Sequence, residues 1–195
     1  MSELTRREAM SRLAMAFAGA GALDRLAAAD VHALVGQRPG QPYVPQALTA
    51  GQYHTLERLT DLIIPVDGTR PGAVQAGVPA WIDTLLTVNA ELKTRVTGGL
   101  AWLDTTMRTR HGVDFVAATP AQQTTLLDQT AYQKNRSADL NPGIDFFILA
   151  RRMTVDGFYT SPLGMRDIYQ GNQARQTFTV PREAMDYVIN RSPLK

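Results

Sequence analysis

The side chains best equipped for chemistry are few and poorly placed to cooperate. The three histidines, His32, His54 and His111, lie far apart in the sequence. Metal ligation or a proton relay needs such groups to converge, so these read as surface side chains. Two carboxylate pairs are closer: Asp139 and Asp145 flank Asn141-Pro142, and Asp156 and Asp167 flank Phe158 to Met165. A pair of that kind could serve as general acid and base. Acidic residues at a helix start are, however, accounted for by the helix dipole, and Asp156 follows Arg151 and Arg152 at a spacing that makes an ion pair. No Gly-rich loop follows a strand and no nucleophile elbow is present, so neither a phosphate cradle nor an activated serine is expected. The chain has no cysteine, which removes thiolate metal sites, iron–sulfur clusters and covalent haem attachment. On this reading the chain itself carries no catalytic, cofactor-binding or metal residue.

What does stand out is Asp156-Gly157-Phe158-Tyr159-Thr160-Ser161-Pro162, two aromatics beside Gly and Pro in a chain only 7% aromatic. Such a segment makes either a core corner or an interface anchor, and composition does not choose between them.

The elements that would position these residues are helical throughout. A helix is expected from about Thr49, with Tyr53, Leu56, Leu59 and Ile63 on one face and Pro65 as its stop. Val78-Pro79 opens the next, since Pro suits a first turn, and Trp81, Ile82, Leu85 and Leu86 form its apolar face. Gly98-Gly99 marks a break or a close helix crossing, because two helical glycines cost about 2 kcal/mol relative to Ala. Leu100, Leu103 and Met107 continue the spacing to His111-Gly112. Thr119-Pro120-Ala121-Gln122 is a capping-box start for Leu126, Leu127 and Ala131. Asn141-Pro142 begins a helix running towards Phe158, Ser161-Pro162 a short further turn, and Pro181 a last helix over Ala184, Met185, Val188 and Ile189. No segment alternates with a period of two. The predicted class is all-α, a compact domain of five to seven helices over residues 49–195, behind a Pro/Gly linker at 30–48 and an N-terminal signal helix at 1–29.

The first 29 residues have three zones: a charged start with Arg6-Arg7, an uncharged stretch from Leu13 to Leu23, and the small residues Ala27-Ala28-Ala29. That order is the order of a secretory signal, and the apolar stretch is too short to span a bilayer, which takes about 20 residues. Thr5-Arg6-Arg7 resembles the twin-arginine motif that routes folded proteins across the bacterial inner membrane, although Ala9, Met10 and Ser11 occupy positions usually held by other residues. The alternative is an amphipathic helix that packs Leu13, Phe17, Leu23 and Leu26 on the body. Net charge is +2, and the 17 arginines are scattered rather than gathered into a basic face, so a nucleic-acid partner is not expected.

Taken in order, several strings resemble the gluconate 2-dehydrogenase subunit 3 family. They are Leu62-Ile63-Ile64-Pro65, Pro71-Gly72-Ala73, Ala76-Gly77-Val78-Pro79 with Trp81-Ile82-Asp83, and Gly99-Leu100 with Leu103-Asp104, Gly112 and Phe115. The longest is Met153 to Gly164, continuing to Asp167-Ile168 and Tyr169-Gln170-Gly171-Asn172. The resemblance spans about residues 48–172. It implies a non-catalytic small subunit that supplies the export signal for a flavin-dependent large subunit of the glucose–methanol–choline type. It also implies FAD in that partner, a c-type cytochrome subunit that often takes the electrons, recognition of Arg6 and Arg7 by the twin-arginine translocon, and a periplasmic location. The density of aromatics in the best-matching stretch makes Phe158, Tyr159 and Tyr169 the expected docking set. A free-standing helical ligand-binding protein or small enzyme using the Phe158–Tyr169 region is the other reading.

Overall fold

The computed structural model describes residues 31–32, 43–169 and 182–191, and these form an all-α body of seven α-helices and one 3-10 turn. The helices are α1 (Ala50–Ile63), α2 (Val78–Leu86), α3 (Ala90–His111), α4 (Pro120–Thr130), α5 (Asn141–Thr160), α6 (Pro162–Tyr169) and α7 (Arg182–Arg191). The expected signal at 1–29, with Arg6 and Arg7, lies outside the described residues.

Local chemistry sets most of the boundaries. Both capping boxes form: Thr49 with Gln52 ahead of α1, and Thr119 with Gln122 ahead of α4. Each satisfies two helix-end donors reciprocally. Gly112, at φ 75°, ends α3 in the left-handed conformation that glycine adopts without penalty. One boundary differs from expectation. The chain breaks at Thr87–Asn89, where Asn89 Oδ1 accepts the amide of Leu92 at 2.8 Å, and α3 then runs unbroken through Gly98-Gly99 for 22 residues.

The glycine pair is therefore a crossing, not a break. A Cβ on Gly99 would fall 2.0 Å from the Phe146 ring, and one on Gly143 would fall 2.1 Å from Trp102. Helices α3 and α5 interlock here, each seating an aromatic over the other's glycine. All nine residues of α2 are buried, and α5 packs on α1, α2, α3, α4 and α6. The core runs from Leu56 and Leu59 through Trp81, Leu85 and Leu100 to Phe115, Leu126 and Phe158. Every residue of α7, by contrast, is exposed.

The stretch expected to be linker is partly built into the body. Asp83, fully buried on α2, accepts the Tyr43 hydroxyl at 2.8 Å and the amides of Gln46, Ala47 and Leu48 at 2.7, 3.1 and 2.8 Å. A buried carboxylate needs such donors, and the three successive amides form a small anion-holding nest. Residues 43–48 are thereby fastened to α2 just before α1 begins. Val31 is also fully buried.

Candidate functional site

The aromatic segment folds into the corner between α5 and α6, and glycine at two points allows it. A Cβ on Gly157 would meet Trp81 at 2.9 Å, and one on Gly164 would meet the Phe158 carbonyl oxygen at 2.1 Å. Ser161, fully buried, holds the turn. Its hydroxyl donates to the Phe158 carbonyl at 2.6 Å and accepts the Gly164 amide at 3.0 Å.

The corner divides the expected docking residues. Phe158 is 2% exposed and is a core side chain, which corrects its assignment to the surface. Tyr159 is 42% exposed and meets the Phe158 ring edge-on at 5.1 Å between centroids. Tyr169 is in α6, and its side chain lies outside the described detail. A longer view of the helical period separates the first two: Ala150, Thr154 and Phe158 share the buried stripe, while Val155 and Tyr159 share the next one and are both exposed. Met165, on α6, is exposed as well. Tyr159 is thus an aromatic side chain steadied from below by a buried ring, beside an exposed valine one turn earlier.

His32, read from the sequence as a surface residue, is half-buried at this same corner. Its ring stacks on Trp81 at 5.7 Å, and Nε2 lies 3.1 Å from Thr160 Oγ1. The Thr160 hydroxyl also donates to the Asp156 carbonyl at 2.7 Å. Burial pushes the His32 pKa down, against an opposing backbone hydrogen bond at Gly157. His54 and His111 are on the surface. His54 Nδ1 lies 3.2 Å from Glu57 Oε2, one turn on, a spacing that is visible in the sequence.

Of the four carboxylates paired in the sequence, Asp145 and Asp156 have neighbouring cations, and the side chain of Asp167 lies outside the described detail. Asp145 pairs with Arg136 at 2.5 Å, and Asp156 with Arg152 at 3.8 Å. Burial raises the Asp156 pKa, and Arg152 offsets part of that rise. Among the described residues, no three His, Cys, Asp or Glu side chains stand close enough to hold a metal ion. No helix there is long and apolar enough to cross a membrane. An open groove of about 360 Å³ lies between α3 and α5, over the glycine crossing and lined by Arg95, Gly98, Trp102, Asp145, Phe146 and Leu149. None of the residues from Phe158 to Tyr169 is among those lining it. The residue missed most completely by sequence reasoning is Asp83. Its only local signal was its place in Trp81-Ile82-Asp83, because the donors it serves are some 35 residues earlier.

Comparison with known proteins agrees with this geometry at the family level. No curated protein and no solved structure matches the chain. A family model described as gluconate 2-dehydrogenase subunit 3 matches residues 50–175, close to the 48–172 stretch that carries the sequence resemblance. The match begins at the first residue of α1, takes in α2 to α6 and the corner, and covers well over half of the chain. The chain belongs to the gluconate 2-dehydrogenase subunit 3 family.

Proposed function

We propose that this protein is a non-catalytic small subunit of a periplasmic, FAD-dependent gluconate or sugar dehydrogenase, and that it brings the large subunit with it through the twin-arginine route. The observation that carries this reading is the family match over residues 50–175. The exposed Val155 and Tyr159, on the last two turns of α5 within that match, support it. In this reading the partner is a flavoprotein of the glucose–methanol–choline type, with a c-type cytochrome as a further subunit that holds the complex at the inner membrane. Aromatic residues steadied by their own core are effective interface anchors, because little side-chain freedom is lost when a partner covers them.

Export of folded cargo suits a flavoprotein that must take up FAD before crossing. A partner lacking its own signal would then depend on Arg6 and Arg7 of this chain. Lysine keeps the charge but not the planar guanidinium fork. Changing both arginines to Lys should therefore leave this chain and the dye-linked dehydrogenase activity in the cytoplasmic fraction. Periplasmic activity undiminished in the double variant would show that the large subunit travels by its own route.

A further inference from the structure

We infer that α7 is the occupant of the open groove between α3 and α5 of the same chain, seated through the apolar stripe of Ala184, Met185, Val188 and Ile189. Helix and groove match in length, in apolar character and in the charges along their edges.

A helix of ten residues is too short to persist alone in water, where even about 12–15 residues are marginal. Helix α7 therefore depends on packing its apolar side. That side is unpacked among the described residues, with Met185, Val188 and Ile189 at 48%, 64% and 58% exposure. At about 3.6 residues per turn these three and Ala184 form one stripe. Asp186 borders it beside Ile189, Arg191 borders it beside Ala184, and Glu183 lies on the opposite face. Arg182 and Arg191 balance Glu183 and Asp186, so α7 lacks the basic face with which amphipathic helices attach to membranes. It also begins beyond residues 50–175, where the family match ends, so the surface common to the family does not include it.

The groove supplies the counterpart. Arg95, Gly98 and Trp102 line it over about two turns of α3, and Asp145, Phe146 and Leu149 line it from α5. Trp102, Phe146 and Leu149 give it apolar walls. Gly98, where an added Cβ would meet nothing within 4 Å, leaves room for another helix to approach. The two rims differ in charge. Arg95 on α3 is exposed and makes no ion pair among the described residues, and Asp145 on α5 is exposed beside Arg136. Laid with Asp186 towards Arg95, α7 brings Arg191 towards Asp145, so both of its edges meet opposite charge.

The chain is long enough to make this contact within one molecule. From Phe146 to Thr160 α5 rises about 21 Å, and α6 adds at most about 12 Å. The 12 residues from 170 to 181 reach about 40 Å when extended. A tether of that length presents α7 to its own groove at an effective concentration of about millimolar, which favours it over a second copy.

The chain has no cysteine, so disulfide formation in the purified full chain gives a clean test. Gly98→Cys is combined in turn with Met185→Cys, Val188→Cys and, on the polar face, Glu183→Cys. All these positions are exposed, and the bond forms only where Cα atoms come within about 7 Å. Under mild oxidation at micromolar protein, Met185→Cys or Val188→Cys should give a disulfide-linked monomer at least tenfold faster than Glu183→Cys. Adding Val188→Asp to the Gly98→Cys, Met185→Cys chain should slow that closure at least tenfold. Equal rates from the two faces, or closure unaffected by Val188→Asp, would overturn the inference. So would a disulfide-linked dimer as the main product, which would make a second copy the occupant. No flavoprotein takes part, so the outcome is independent of the proposed function.

Discussion

The two ends of α5 use the same device to different effect. Near its start, Gly143 lies under Trp102 of α3 while Phe146 lies over Gly99; Phe146 is absorbed by the crossing at 5% exposed, and Trp102 is half-buried at the rim of the open groove. Near its end, Gly157 lies under Trp81 and Gly164 lies against the Phe158 carbonyl, again bringing helices close. There, however, the stripe beside the buried one remains outside, with Val155 at 37% and Tyr159 at 42% exposure. At one end the chain's own helices interlock ring over glycine. The other has apolar surface left over and holds its aromatic in a set direction. Scattered exposed apolar residues need no explanation, but these two are successive members of one stripe, at a corner that lies within the family match.

The largest effect is expected at the interlocked end of α5. Gly99→Val would drive methyl groups into a ring already 2.0 Å from the added Cβ. Overpacking of this kind costs about 3 kcal/mol, which in a chain of this size lowers Tm by roughly 6–12 °C. A melt unchanged by the substitution would mean that α3 and α5 do not interlock as described.

A smaller effect concerns the docking of His32 on Trp81 at the other end. Because burial depresses the His32 pKa, the undocked form takes up a proton at higher pH than the docked form. Docking is then complete above about pH 6.5, the ordinary histidine value, and weakens as pH falls through that value towards the depressed one. Among the described residues, the side chains that touch the imidazole, the Trp81 ring and the Thr160 hydroxyl, carry no charge to reverse this sign. An NMR titration of the imidazole should give an apparent pKa below 6.5, and His32→Phe, which keeps the stack, should make docking independent of pH over this range. A pKa above 6.5 would contradict the buried placement.

The smallest effect sharpens the contrast within the glycine pair itself. A Cβ on Gly98 meets nothing within 4 Å, and the residue is exposed in the middle of a helix. Gly98→Ala should therefore stabilise the chain by up to about 1 kcal/mol, the opposite sign to its neighbour. Both substitutions destabilising would show that Gly98 also lies in a tight contact.

These neighbours show what the sequence could and could not display. The capping boxes at Thr49 and Thr119, the Pro79 start and the stop before Pro65 are written in contiguous residues, and each stands where the pattern puts it. Gly98-Gly99 announced a break or a crossing, but only the position of Phe146, 47 residues later, decides which. Asp83 looks like any helical acid until the amides of Gln46, Ala47 and Leu48 are brought to it. Its contacts depend on tertiary structure and leave no local trace. His32, a lone histidine near Pro and Gly, was likewise unreadable without Trp81 beside it. Phe158 was within reach: extending the four-residue spacing back through Thr154 to Ala150 places it inside and Tyr159 outside.

The proposed function has a flavoprotein cover the exposed Val155 and Tyr159 at the end of α5. The direct measurement is co-purification of the flavin-dependent large subunit on this chain, natural or Tyr159→Ala, with bound flavin absorbance and the melting temperature of the isolated small subunit recorded for each. Truncating a central aromatic anchor typically costs about 2 kcal/mol of binding. The account predicts at least a tenfold loss of retained flavoprotein, with the helicity of the isolated chain unchanged and its Tm shifted by no more than about 2 °C, as for an exposed side chain. Flavoprotein retained in full by Tyr159→Ala, or a variant that unfolds, would contradict it.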